Sequence, residues 1–266
     1  MVARAAALQV EPLAALSDNY IWLLHDGHQA WVVDPGEAEP VQHALRERGL
    51  ALQGILLTHH HGDHIGGVAA LRQASGCRVI GPAREPLPWP VQPVDDGAVL
   101  ELLGRRWQVL AVPGHTRGHV AYVNEPTAAD PQRWLFCGDT LFAAGCGRLF
   151  EGTPAQMLAS LDRLAALPAS TRVCCAHEYT LGNLRFAQAV LPHDTQVAAA
   201  LAAAQARRAA GQPTVPTTLA EERAINPFLR TREPAVRAAL RQQGFEPLTT
   251  DSDHFAALRR WKDGFR

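Results

Sequence analysis

An α/β sandwich followed by a small helical tail is the fold class that the sequence predicts. Apolar runs of strand length alternate with helical stretches through about residue 179. Several of these runs end in histidine or aspartate, which gathers chemistry-bearing loops along one edge of the strands. Beyond that point the strand signals stop while helix-forming sequence continues, so we expect a first domain over residues 1–179 and a helical second domain over 180–266.

Length and composition agree with this class. A chain of 266 residues can bury a substantial core, and 47% hydrophobic with 19% charged residues describes a soluble globular protein. A formal net charge of −1 and the lack of a basic tract interleaved with aromatics argue against nucleic-acid binding. No apolar run reaches membrane-spanning length. The opening Met1-Val2-Ala3-Arg4-Ala5-Ala6-Ala7 is too short in its apolar part for an export signal and is read as the approach to a first strand. The five cysteines, Cys77, Cys137, Cys146, Cys174 and Cys175, are odd in number and show no CxxC spacing. Reduced, buried thiols and a cytoplasmic location follow as the expectation.

Taken in order, Asn19–Leu24 and Gln29–Val33 flank Asp26-Gly27-His28, which reads as a hairpin. Asp34-Pro35-Gly36 is a sharp turn, and a helix is expected from about Pro40 to Arg48. Asp34 reads equally as a turn residue or as a carboxylate orienting a metal-bound imidazole. His25, His28 and His43 are expected on the surface. A strand over Ile55–Thr58 leads into His59, and a helix is expected over Ile65–Gln73. Strands follow at 78–81, 99–103, 107–112, 120–124, 134–137 and 172–176, with the proline-rich 82–93 as an ordered surface connection. After residue 180, helices are expected over 184–190, 197–210 and 233–242; the alanine-rich middle one is a strong helix former.

Thr58-His59-His60-His61-Gly62-Asp63-His64 carries the chemistry. Alternate residues of an extended chain point the same way, so His59 and His61 share a side and His60 faces the other. A turn at Gly62 then swings Asp63 and His64 towards that first pair. Three imidazoles and a carboxylate in this spacing form a metal-ligand composition. Three more strands each deliver a ligand-type residue at their ends: His115, between the glycines of Pro113-Gly114-His115-Thr116-Arg117-Gly118-His119; Asp139; and His177. His119 is read as a supporting histidine.

The ordered set His59, His61, Asp63, His64, His115, Asp139 and His177 resembles the metallo-β-lactamase superfamily. Gly138-Asp139-Thr140-Leu141-Phe142, Gly145-Cys146-Gly147-Arg148, His177-Glu178-Tyr179-Thr180 and Arg259-Arg260-Trp261-Lys262-Asp263 resemble, more narrowly, the glyoxalase II family of hydroxyacylglutathione hydrolases. The resemblance implies an αββα sandwich followed by an all-helical domain. It implies two divalent ions per chain, zinc foremost, with iron or manganese as alternatives. His59, His61 and His115 would hold one, Asp63, His64 and His177 the other, and Asp139 would bridge them. It also implies hydrolysis of S-D-lactoylglutathione to glutathione and D-lactate, the second step of methylglyoxal detoxification, by a monomer. Asp63 and Asp139 would be the carboxylates at the reaction centre. Arg148, Tyr179, Arg259 and Lys262 would contact the glutathione part, and Lys262 is the one lysine in the chain. Phe150 stands where some relatives carry a tyrosine, which removes one hydrogen bond to the peptide.

Two other activities fit the same metal motif. A lactonase or β-lactamase would share the scaffold, although Asp139 rather than a cysteine stands at the bridging position. A persulfide dioxygenase would share HxHxDH on one iron, without the long helical tail and its basic end.

Overall fold

The computed structural model describes residues 8–128 and 130–265. The opening segment 1–7, read above as the approach to a strand, and Arg266 lie outside the described residues. The chain divides into two compact units. One runs to Ala111 and resumes over Gly118–Gly138; the other comprises Val112–Arg117 and Asp139 onwards.

The first unit is built on two sheets. Strands β1 (Gln9–Ala15), β2 (Asn19–His25), β3 (Gln29–Val33), β4 (Ala51–Leu56), β5 (Arg78–Pro82) and β6 (Gln92–Val94) form one sheet in sequence order. Its first three strands are antiparallel, while β3 through β6 run parallel. Parallel neighbours need crossovers. Helices α1 (Glu39–Arg48) and α3 (Val68–Ser75) provide two of them, packing Val41, Ala44, Val68 and Leu71 on Ile21, Leu23, Val32 and Ile55. With that layer on one face, β2 is buried along its whole length, as its near-continuous apolar sequence requires. Strands β7 (Val99–Leu102), β8 (Arg105–Ala111), β9 (Val120–Asn124) and β10 (Trp134–Gly138) form an antiparallel meander. Trp22 of β2 meets Phe136 of β10 with ring centroids 6.2 Å apart, and the Tyr122 hydroxyl donates to the Leu57 carbonyl at 2.7 Å, so the two sheets share a core.

Two expectations are corrected here. The helix expected over Ile65–Gln73 is two pieces, α2 (Gly62–Ile65) and α3, separated at Gly66-Gly67. A Cβ on Gly66 would lie 2.5 Å from the Gly36 carbonyl oxygen, and one on Gly67 2.5 Å from the Glu37 backbone, so the chain bends where side chains cannot fit. His25, expected at the surface, is buried; its Nε2 lies 3.2 Å from Glu11, and its Nδ1 accepts the Gly27 N–H, which satisfies both ring nitrogens.

In the second unit, β11 (Leu141–Phe142) and β12 (Gly145–Cys146) form a tight hairpin, α4 (Pro154–Ala165) follows, and β13 (Arg172–Cys175) pairs with β14 (Thr217–Thr218). Helices α5 (Thr180–Val190), α6 (Thr195–Ala209), α7 (Leu219–Ile225), α8 (Pro234–Gln242) and α9 (Asp251–Gly264) complete it. Phe186, Phe228 and Phe255 are fully buried among these helices, with centroids 5.8–6.0 Å apart in successive pairs. No helix among the described residues is long and apolar enough to cross a membrane. The two-residue β14 is the exception to the expectation that strands end near 180.

Candidate active site

The first unit places the HxHxDH histidines together at the end of β4. The chain leaves the strand through Thr58, whose backbone N–H and hydroxyl both donate to the Asp34 carboxylate, at 2.8 and 2.6 Å. Asp34 also lies 3.1 Å from His64 Nδ1, which directs His64 Nε2 outward as the ligand-type nitrogen. Asp34 therefore serves as the orienting carboxylate as well as shaping the turn, with its own backbone at φ 52. His59 is fully buried; its Nδ1 is 3.0 Å from the Thr58 hydroxyl, and its Nε2 faces His61 Nδ1 at 3.1 Å. Asp63 lies with its carboxylate 3.4 Å from His64 Nε2 and accepts the Asn19 amide at 3.0 Å. His60 points away, as the alternation predicts, and pairs with Glu85, which also accepts the Gly118 N–H at 2.7 Å. His119 stacks on the His59 ring, 4.7 Å between centroids and 20° between planes, so its role in this unit is support.

The second unit brings His115, Asp139 and His177 together. The His115 Nδ1–H donates to the Arg148 carbonyl at 2.8 Å, leaving Nε2 to face Asp139 Oδ2 at 3.3 Å. Asp139 Oδ1 lies 3.4 Å from His177 Nε2. Each oxygen of one carboxylate thus meets a different imidazole, the disposition in which a carboxylate joins two cations. The loop after β12 closes against this group: a Cβ on Gly147 would stand 1.9 Å from the Asp139 carbonyl oxygen, so only glycine fits. The donor set of each unit is thus nitrogen and carboxylate throughout, and the His and Asp clusters fit a dinuclear metal site. Thiols do not compete. All five cysteines are buried and unbridged, and burial pushes Cys146 up to about 11 and Cys175 up to about 12, so both stay protonated near neutral pH.

All four expected substrate contacts line one cavity of about 610 Å³ in this second unit, together with His115 and Asp139. Tyr179 stacks on the His177 ring, 4.6 Å between centroids and 7° between planes. Arg259 and Lys262 project from α9. Arg259 is buried. Its Nη1 donates to the Cys146 carbonyl at 2.9 Å, its Nε and Nη2 to Asp263 Oδ1 at 3.1 and 2.8 Å, and its guanidinium carbon lies 5.0 Å from the Phe228 ring centre. Lys262 lies 5.6 Å above the Phe186 ring, and its amine is held below the ordinary lysine value first by burial, then by Arg259 and Arg148. Arg148 is mostly exposed, with Nε 3.6 Å from Asp263. Phe150 is 63% exposed at the cavity rim and meets His115 edge-on at 5.2 Å.

Sequence reasoning missed Asp263 as the anion that ties two of these cations together. Its spacing of four from Arg259 on one helix was the available signal. It also missed Asn183 on the cavity wall, whose amide donates to the Ala143 carbonyl at 3.0 Å; no motif announces it.

Comparison with known proteins agrees with this geometry. Residues 16–177 match the model of the metallo-beta-lactamase superfamily, and residues 178–265 that of the hydroxyacylglutathione hydrolase C-terminus. The hydroxyacylglutathione hydrolases of Cupriavidus metallidurans and Albidiferax ferrireducens are 59% and 56% identical to this chain, each over 97% of it and 100% of the relative. Among solved structures, ETHE1 from Myxococcus xanthus aligns with a TM-score of 0.62 at 26% identity, covering 96% of this chain and 97% of its own. TTHA1623 in a di-iron-bound form aligns with a TM-score of 0.57 at 29% identity, over 83% and 99%. The fold class is therefore the expected one, a metallo-β-lactamase fold followed by a C-terminal helical region. The chain belongs to the hydroxyacylglutathione hydrolase family of the metallo-β-lactamase superfamily.

Proposed function

We propose that this enzyme hydrolyses S-2-hydroxyacylglutathione thioesters, with S-D-lactoylglutathione as the reference substrate, to glutathione and the 2-hydroxy acid. The observation that carries this reading is the shared cavity: Arg148, Arg259 and Lys262 form a cationic wall beside Asp139 and His115. Glutathione carries two carboxylates, and charge-assisted hydrogen bonds are the strong ones. The lactonase reading offers no use for this wall, and the C-terminal region matched over residues 178–265 sets the persulfide dioxygenase reading aside.

We further propose that His59, His61 and His115 bind one divalent ion, that Asp63, His64 and His177 bind the second, and that Asp139 bridges them. Zinc is our choice, with iron or manganese as alternatives, since imidazole and carboxylate ligands suit all three. When bound, such a pair of ions supplies hydroxide near neutral pH and polarises the thioester carbonyl. The chain's own residues do the rest. Asp34 and the Arg148 carbonyl fix the rings of His64 and His115 in the tautomers that leave Nε2 for the metal. Asp63 and Asp139 contribute the negative charge that offsets two cations. Arg148, Arg259, Lys262 and the Tyr179 hydroxyl hold the tripeptide, while Phe150 packs against it and offers no hydroxyl. The leaving thiolate has a reference pKa of about 8.5, so no general acid is required. In the domain reading, residues 1–179 carry the metal chemistry and 180–266 contribute to glutathione binding, in a monomeric cytoplasmic protein.

The test is hydrolysis of S-D-lactoylglutathione by purified protein, followed as loss of thioester absorbance, with metal analysis on the same sample. Rapid turnover with about two metals per chain supports the reading. Full metal loading without turnover overturns the substrate assignment.

A further inference from the structure

One buried acid in the second unit has no part in the chemistry above. Glu222 on α7 is fully buried, and its Oε2 accepts the Ala144 backbone N–H at 2.8 Å and the Asn226 amide at 3.0 Å. Ala144 sits in the turn of the β11–β12 hairpin with φ 54, a left-handed conformation that alanine adopts only when its surroundings impose it. The same Asn226 amide donates to the Phe142 and Gly145 carbonyls at 3.2 and 2.9 Å, and Asn183 takes the Ala143 carbonyl. Every residue from Phe142 to Gly145 is therefore gripped by a polar side chain on a helix or at its end, and among the described residues Glu222 supplies the only charge in that grip.

The hairpin is also a wall of the substrate cavity. Phe142 and Cys146 line it, and the Cys146 carbonyl is the acceptor that seats Arg259. We propose that Glu222 is a positioning residue for substrate binding: by holding Ala144 and Asn226 it fixes the 141–146 hairpin, and through the Cys146 carbonyl it fixes the Arg259 guanidinium. This rests on the thioesterase reading given above.

Burial raises the Glu222 carboxyl from its ordinary 4.5 to about 7, against the favourable effects of the Thr217 hydroxyl, the Ala144 N–H and the Asn226 amide. Among the described residues, the titratable groups that interact with it are Glu221 on its own helix and Cys175 on β13, and that thiol stays protonated through neutrality. Protonation of Glu222 turns a carboxylate that accepts two hydrogen bonds into a weaker acceptor. The grip on Ala144 loosens, and the consequence falls on substrate affinity rather than on the bond-breaking step.

The experiment compares the metal-loaded wild type with Glu222→Gln and Glu222→Ala, measuring kcat and KM for S-D-lactoylglutathione across neutral pH, with hydrogen exchange of the Ala144 amide on the same proteins. Glutamine keeps an acceptor for Ala144 and Asn226 without a titration. Glu222→Ala is expected to raise KM roughly tenfold with kcat within about twofold. Glu222→Gln is expected to restore most of that affinity and to lack the rise in KM that is expected of the wild type below about pH 7. The Ala144 amide should exchange faster in Glu222→Ala, and in the wild type its protection should fall as the carboxyl is protonated. Equal losses in kcat and KM, a wild-type pH profile in Glu222→Gln, or unchanged Ala144 protection would overturn the proposal. Where Glu222→Ala does not fold, the wild-type and glutamine proteins alone decide. A wild type that does not hydrolyse the thioester refutes the functional reading, while Ala144 exchange still judges the role of Glu222.

Discussion

The Asp34 carboxylate lies 3.1 Å from His64 Nδ1 while taking both the N–H and the hydroxyl of Thr58, so one buried acid sets the ring of a metal-type histidine and the end of the strand that precedes it. Asp34→Asn keeps the size and tolerates the left-handed backbone. It replaces one acceptor oxygen by an NH₂ group, which faces the Thr58 N–H in the place of Oδ1, or the Thr58 hydroxyl and His64 Nδ1 in the place of Oδ2. Metal affinity is expected to drop about 10- to 100-fold, the usual cost of losing such an outer partner. Metal content after dialysis against a chelator series measures this; affinity equal to wild type would remove the orienting role.

Asp139 is a sharper case. Its two oxygens address His115 and His177 separately, so Asp139→Asn leaves one oxygen for two partners. Both metals should weaken, and kcat should fall by more than the roughly 100-fold typical of outer partners. Near-normal turnover at full metal occupancy would sink the bridging assignment.

The two α9 cations should behave differently, which their sequence neighbourhood does not suggest. Lys262 touches no carboxylate in its own unit within ion-pair distance among the described residues, so Lys262→Ala should remove only the charged contact to substrate proposed for it, about 1.5–3 kcal/mol, and raise KM tenfold or more with metal content and Tm intact. Arg259 is also structural. Its loss strands the Cys146 carbonyl and leaves the Asp263 carboxylate to Arg148 alone, so Arg259→Ala should raise KM and lower Tm together. Arg259→Lys cannot rescue it, because an ammonium does not reproduce the fork that reaches both acceptors. An Arg259→Ala protein with unchanged Tm would show that the buried contacts carry no stability.

These contrasts mark what the sequence disclosed and what it withheld. The HxHxDH spacing disclosed its own geometry, because strand alternation is a local rule: His60 does turn away from His59 and His61. The helix α6 was legible for the same reason, its alanines being helix formers in any context. By contrast, α2 and α3 were merged, since the break at Gly66-Gly67 comes from backbone that arrives from residues 36–37, far along the chain. Helix α4 does carry a local signal, since Thr153 and Gln156 form a capping box with Pro154 at its start. His25 and Glu222 were illegible on different grounds. Each is polar and buried only because partners distant in sequence satisfy it, Glu11 for the one and the 141–146 hairpin for the other.

That last residue yields a stability prediction separate from its proposed effect on binding. In the folded protein the Glu222 carboxyl is raised from 4.5 to about 7, chiefly by burial. Between those values the native state holds a proton that the unfolded chain has released, so stability must fall as pH rises through that window and level off above about 7. The loss is of order 3 kcal/mol, since a fully buried group is not screened by solvent. Glu222→Gln has no such proton to lose. Its amide oxygen keeps the Ala144 and Asn226 bonds, and its NH₂ faces the Thr217 hydroxyl, which turns from donor to acceptor. The variant should therefore match the wild type near pH 5 and exceed it at pH 8, by roughly 5 °C in Tm. Thermal unfolding of both proteins at the two pH values measures the difference, and parallel Tm profiles would show that Glu222 does not titrate in this range.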